Sequence, residues 1–503
     1  MASIPGARGS LSGGPWFDVA PGLTYREGSN WSSPGTGASD GMTSRDDAGE
    51  RAGRLGAWQR ARDHAHQTPA GRDRYIDLLR ALSIIVVVIG HWLMAAPTVE
   101  SGLRFTLSDM LRVAPWTQWL TWIFQVMPIF FVVGGYANAA SWESARRSGL
   151  GYEAWLSRRL QRLVRPVLPF LLAWCALGLA ARSFGLGREF VRAGSQLAFL
   201  PTWFLAVYVL VVVLAPTMHS SWRRFGMASF WALVLGAAVV DAVSRSSGVD
   251  AVLGINYVFV WLALHQLGFA WRDDTLSEPI RAASFALGGL AGLVVLVGLA
   301  SYPVSMVTVP GGTAANSTPP SLALLLLGVT HVGLAMLIAG PVRRLLQRPA
   351  VWTATVFING VIMTLYLWHV TVMILLVGIA EWPGGVGLKF VPNTTAWWAT
   401  RPVWLLVLLV VTAGFVWVFG PVEAQPVRRT VRPPAWRSVV GAVAVCVGLL
   451  ALAESGIGGQ GALGLRLGPV LLTLCGALLV TVMGGRQDDR ASAEEPSREA
   501  FGR

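Results

Sequence analysis

Charge is scarce in this sequence. Asp, Glu, Lys and Arg together make up 13% of its 503 residues and apolar types 53%, a balance that excludes an ordinary soluble globular enzyme. Cysteine is nearly absent as well. Cys175, Cys446 and Cys475 fall in apolar runs without paired spacing, which argues against a disulfide framework or a metal site and leaves packing as their role. Lysine occurs once, as Lys389, so arginine carries the net charge of +13. There is no glycine-rich phosphate loop of the Walker type, no nucleophile-elbow sequence and no long-period repeat. Nor is there a nucleic-acid-binding motif to go with the positive charge, so nucleic acid is not an expected partner.

Uncharged runs fill the chain instead. Crossing about 30 Å of hydrocarbon takes roughly twenty residues, and runs near that length recur at 76-96, 117-139, 166-181, 197-217, 225-243, 255-271, 282-301, 321-340, 353-378, 402-420, 438-455 and 467-484. The expected fold is all-α, a polytopic transmembrane bundle of about twelve helices. Residues 1-72, rich in Gly, Ser and Pro with scattered charge, read as a disordered segment, and 486-503 as a polar tail. No charged stretch followed by a short apolar run and a small-residue site opens the chain, which speaks against a cleaved signal peptide. Loops holding Arg146 to Arg165, Arg223 and Arg224, Arg272 and Arg281, Arg343 to Arg348 and Arg428 to Arg437 carry about twice the positive charge of the opposite set. That asymmetry predicts a multi-pass protein of the cell membrane with both termini in the cytoplasm.

With so few ionisable groups, those inside the apolar runs stand out. RYIDLLRALSIIVVVIGHWLMAA, Arg74 to Ala96, holds Arg80 and His91. On a helix the step between them is within about 20° of one face and about 16 Å along the axis. Asp77, one turn before Arg80, is placed for a local ion pair. A desolvated imidazole favours its neutral, proton-accepting form, and ionisable groups at such depth face a cavity or the protein interior. A helix-end arginine with a histidine hydrogen-bonded to a neighbouring helix accounts for the same residues.

A second constellation lies in FFVVGGYANAASWESARRSGLGYEAWLSRRLQRLVRP, Phe130 to Pro166. If the part from Trp155 is helical, Arg158, Arg162 and Arg165 form a stripe flanked by Arg159. Guanidinium forks bind phosphate oxygens in pairs, so the cluster suits a nucleotide-like or coenzyme A donor. An anchor for anionic lipid head groups is the alternative. Asn359 and Tyr366, seven residues apart, share a face in the ninth run, with His369 about 60° away, and Gln125 and Tyr136 share a face in the second. These and Asp77 are cavity-lining candidates, beside the reading of Tyr366 and Trp368 as packing or interface residues. His265 and His331 read as interhelical hydrogen-bonding residues, and the outer loop Ser301 to Pro320 as a connection or an acceptor contact.

The combination of Arg80 and His91, the FFxxxGY-like Phe130 to Tyr136, the RxxR of Arg159 and Arg162 leading to Pro166, and GVIMTLYLWHV at Gly360 to Val370 resembles the membrane acyltransferase-3 family. It departs at Gly134, where the family often has serine. The resemblance covers most of 73-420 and implies a ten-helix acyltransferase domain there, with 421-485 as accessory C-terminal helices. It further implies an O-acyltransferase. The donor would be cytoplasmic acyl-coenzyme A, acetyl-coenzyme A first, used as substrate with no bound cofactor or metal. The acceptor would be a hydroxyl of an envelope carbohydrate or glycolipid. His91 then stands as general base, Arg80 as donor-orienting or charge-stabilising group, and Arg158, Arg159, Arg162 and Arg165 at the donor phosphates. The near absence of lysine suits a bacterial member. A transporter or flippase for an envelope precursor is the rival reading, and would be favoured by two related halves with interrupted helices. An inactive scaffold for envelope assembly is a third.

Overall fold

The structure is a computed structural model describing Gly56 and residues 58–69, 71–100, 104–312, 314–381, 385–424, 434–461 and 464–481. The main helices are α1 (Arg74–Met94), α2 (Met127–Arg147), α3 (Tyr152–Val164), α4 (Val167–Ser183), α5 (Arg188–Phe199), α6 (Thr202–Phe225), α7 (Met227–Ser247) and α8 (Asn256–Arg272). They continue with α9 (Pro279–Leu299), α10 (Leu322–Leu337), α11 (Ala339–Leu345), α12 (Pro349–Gly360), α13 (Ile362–Glu381), α14 (Thr395–Ala424), α15 (Ala435–Ser455) and α16 (Leu467–Thr481). Among the described residues ten helices are long and apolar enough to cross a membrane, or eleven if α10 and α11, bent by 59°, form one span. The remaining expected run, 467-484, is helical over its described part, Leu467–Thr481. The all-α polytopic bundle is thus what the chain forms. One addition is an antiparallel hairpin directly after α1, β1 (Ala95–Glu100) and β2 (Arg104–Asp109), in which Ala95 pairs with Asp109.

Small residues set the helix spacing, because between helices in lipid it is close packing rather than water exclusion that provides attraction. The pair Gly134-Gly135 does this for α2 on two sides. A Cβ on Gly135 would stand 1.9 Å from the His265 carbonyl oxygen of α8, and one on the facing Gly268 would stand 2.1 Å from the Val132 oxygen. Gly134 instead faces the Tyr208 ring of α6, whose hydroxyl lies 2.9 Å from where a Cβ would be. The two phenylalanines just before pack into the same junction: Phe131 stacks on Trp261 at 4.2 Å, and Phe130 meets Phe204 edge-on at 5.0 Å. Gly333 and Gly289 bring α9 and α10 together in the same way.

Two local results refine the sequence reading. Residues 58–66, inside the segment expected to be disordered, form a helix, and the Trp352 indole donates to Ala65 O and Thr68 Oγ1 at 3.3 and 3.0 Å. The remainder of 1-72, apart from the residues named above, and all of 486-503 lie outside the described residues. The ninth expected run, 353-378, is broken at Val361 between α12 and α13.

The loop after α9 is folded rather than open. Trp122 donates to Val304 O (2.7 Å) and Gln125 to Met306 O (3.1 Å). Asn316 donates to Pro303 O and Ser305 O at 2.7 and 3.0 Å. Tyr302 donates to Asp241 at 2.8 Å; burial, then that carboxylate, pushes its phenol above the ordinary range, so it stays a protonated donor.

Candidate active site

Helix α1 begins with Asp73 as N-cap, its carboxylate accepting from Tyr75 N, and Asp77 in the first turn, where negative charge opposes the helix dipole favourably. Unbroken for 21 residues, it carries Arg80 and His91 in two layers about 16 Å apart along its axis.

The deeper layer is a histidine pair. His91 Nδ1 lies 2.8 Å from His369 Nε2 of α13, with the ring planes 7° apart. His369 Nδ1 lies 2.6 Å from Tyr366 O, and the next residue of α1, Trp92, donates its indole N–H to His369 O at 3.0 Å. Two successive residues of α1 therefore grip one residue of α13. His369 has no exposed surface and His91 is half-buried. The Tyr366 hydroxyl points elsewhere, donating to Pro201 O at 2.6 Å.

The other layer is a charge network. Arg80 Nε donates to Asn359 Oδ1 at 2.7 Å and its Nη2 reaches Asp77 Oδ1 at 3.3 Å, while Arg72 Nε meets Asp77 Oδ2 at 2.5 Å. Asn359 donates in turn to Asp77 O and Thr355 O, both at 2.9 Å. Asn359 thus belongs with Arg80 and Asp77, and Tyr366 with α6. Their expected common face required an unbroken helix, and the interruption at Val361 removes it. Glu423, at the end of α14, was not anticipated. It accepts from Met363 N (3.0 Å), Thr364 N (2.8 Å) and Thr364 Oγ1 (2.7 Å), capping the first turn of α13 within electrostatic reach of Arg80. The available signal was a lone carboxylate two residues after Pro421, just beyond the expected domain boundary at 420.

The arginines of α3 divide by exposure. Arg159 is buried, donating to Ala137 O at 2.7 Å and to Ser141 Oγ on α2, so it ties α3 to α2. Arg158, Arg162 and Arg165 are half-buried. Tyr136 lies under the Arg272 guanidinium at 5.7 Å, beside the Arg272–Glu143 ion pair of 2.7 Å. Gln125 pins the loop after α9. Tyr136 and Gln125 therefore serve different junctions. His265 pairs with Asn138 at 3.0 Å and His331 with Trp122 O at 2.8 Å, both between helices. No group of three or more metal-ligating side chains occurs among the described residues.

Apolar helices long enough to span a membrane, with a histidine pair and a buried charge network held between them, define a polytopic membrane protein with ionisable groups in its interior. The sequence profile of the acyltransferase-3 family, described as an acyltransferase domain, matches residues 73–421, and the chain belongs to that family. It is accordingly a multi-pass membrane acyltransferase. No curated protein and no solved structure matches it.

Proposed function

We propose that this enzyme takes an acyl group, acetyl first, from cytoplasmic acyl-coenzyme A and transfers it to a hydroxyl of an envelope carbohydrate or glycolipid, with His91 as general base. The observation that carries the reading is the state of His91: anchored through Nδ1, half-buried, with no hydrogen bond to Nε2 among the described residues. In the reaction Nε2 takes the acceptor's hydroxyl proton as that oxygen attacks the thioester carbonyl. The tetrahedral intermediate collapses with cleavage of the C–S bond, and the proton on His91 passes to the departing thiolate. Ester and coenzyme A thiol are the products, and the base is regenerated.

Arg80 lies about 16 Å along α1 from this centre and already faces Asp77 and Asn359. A donor-positioning role suits it better than stabilisation of the oxyanion. The two layers suit a long donor, its phosphates among Arg158, Arg162 and Arg165 and its pantetheine arm reaching inward to His91. A cell-membrane location with both termini inside belongs to the same proposal.

The test is transfer of radiolabel from acetyl-coenzyme A to envelope glycans and glycolipids in membranes holding equal amounts of wild type, His91→Ala and Arg162→Ala. Wild type should label a product, and His91→Ala should lose about 10²–10⁴-fold of the rate. Arg162→Ala should raise KM for the donor. Label transfer surviving His91→Ala would remove the general-base assignment, and no transfer from any acyl-coenzyme A would remove the donor.

A further inference from the structure

We propose that His369 is a positioning residue for the transfer reaction: it fixes the tautomer of His91 so that Nε2 carries the lone pair, and it shares the proton once His91 is charged. The inference rests on His91 being the base.

The argument follows the hydrogen bonds outward from a fixed point. A backbone carbonyl can only accept, so at 2.6 Å from Tyr366 O the His369 Nδ1 must carry a proton. A neutral His369 then presents a bare Nε2. Since His91 Nδ1 is 2.8 Å from that atom, it must be the donor. A neutral His91 with its proton on Nδ1 has its lone pair on Nε2, the atom that makes no hydrogen bond among the described residues. One carbonyl at the far end of the chain thus determines which nitrogen of the partly exposed ring is basic.

This arrangement does what a carboxylate does behind a catalytic histidine in soluble enzymes, with a difference that suits its surroundings. A buried carboxylate in a low-dielectric region carries a large desolvation cost, whereas a second imidazole is neutral at rest. When His91 takes the acceptor's proton, the Nδ1–H···Nε2 contact becomes charge-assisted, and the positive charge is spread over two rings. Neither histidine takes part in an ion pair among the described residues. The Trp92 bond goes to the backbone of residue 369, so a changed side chain there leaves that grip between α1 and α13 in place.

The test uses full-length protein in membranes with His369→Gln and His369→Leu, matched for abundance and thermal stability, and reads kcat and donor KM separately. Gln can accept from His91 Nδ1–H through its amide oxygen but cannot carry the proton; Leu can do neither. We expect kcat to fall about 10-fold in His369→Gln and about 100-fold or more in His369→Leu, the lower part of the range for acid–base assistance, with donor KM unchanged in both. In a His91→Gln background the His369→Leu change should have almost no further effect. Full activity in His369→Leu, equal losses in the two variants, or a change confined to KM would overturn the positioning role. If His91→Gln alone keeps the wild-type rate, the base assignment fails first and takes this inference with it. An inactive His91→Gln beside a fully active His369→Leu removes only the positioning role.

Discussion

Asp77 holds two guanidinium groups at once, which makes it the residue whose loss should be felt most in the charge network of the site. Its carboxylate lies 2.5 Å from Arg72 and 3.3 Å from Arg80, with side-chain exposures of 8%, 9% and 15%. Removing one member of a buried ion network leaves uncompensated charge and typically costs about 3–5 kcal/mol. Asp77→Ala should therefore lower the thermal unfolding temperature of the detergent-solubilised protein clearly, and Asp77→Asn less, since its amide oxygen still accepts. An Asp77→Ala protein as stable as wild type would mean that the network is not a stabilising element. Part of this layer was readable in advance, because an arginine in an apolar run is conspicuous and a carboxylate one helical turn away is its natural partner. Glu423 was not, because the contact it makes runs from the end of one helix to the backbone amides of another. Nor was the link between His91 and His369, which are 278 positions apart: each histidine could be seen as a candidate, but their meeting depends on the packing of α1 on α13.

At the level of elements, the α2–α8 crossing is held by two glycines face to face. Gly268 has no room for any side chain, since a Cβ would stand 2.1 Å from Val132 O and 2.5 Å from Tyr136 N. Both obstacles are backbone, so the helices would have to separate, and even modest overpacking costs about 1–3 kcal/mol. Gly268→Leu should reduce the yield of monodisperse protein in fluorescence-detected size-exclusion chromatography, while Gly90→Ala, with nothing within 4 Å of its Cβ position, should match wild type. Equal yields from both would show that this crossing tolerates separation. The glycine pair of FFVVGGY was visible as a motif, but not which neighbour each glycine served. Apolar run length located the spanning helices, but not α5 (Arg188–Phe199), which lies almost wholly between two runs. Nor did it locate the break at Val361, because the residues on both sides are apolar and periodicity carries no mark of a single non-helical residue. The hairpin of β1 and β2 escaped for a related reason: the first apolar run passes into it without a change of polarity at Ala95 and Ala96.

The whole molecule combines a family domain with a helical pair that packs on it. Helix α15 lies against α3, α5 and α6; Ile457 N donates to Ser195 Oγ at 2.9 Å, and Cys446 Sγ lies 3.2 Å from Ala206 O. The pair thus braces the helix that carries the arginines, in keeping with a structural role. What fixes the direction of the chemistry is the orientation of the bundle. If positive charge keeps loops inside, Arg158, Arg162 and Arg165 face the cytoplasm, where the proposed acyl-coenzyme A donor is, and His91 lies towards the proposed acceptor. The three cysteines make this testable, since replacing them with alanine leaves a background for single reporters. Exposed serines are available on both sides: Ser148 and Ser277 follow α2 and α8, and Ser183 and Ser247 end α4 and α7. In intact cells a membrane-impermeant maleimide should label Ser183→Cys and Ser247→Cys but leave Ser148→Cys and Ser277→Cys unreacted until the membrane is permeabilised. The inverse pattern would place Arg158, Arg162 and Arg165 outside, away from cytoplasmic coenzyme A. The donor would then have to be an acyl carrier on the far side, even with the family, the fold and the histidine pair unchanged.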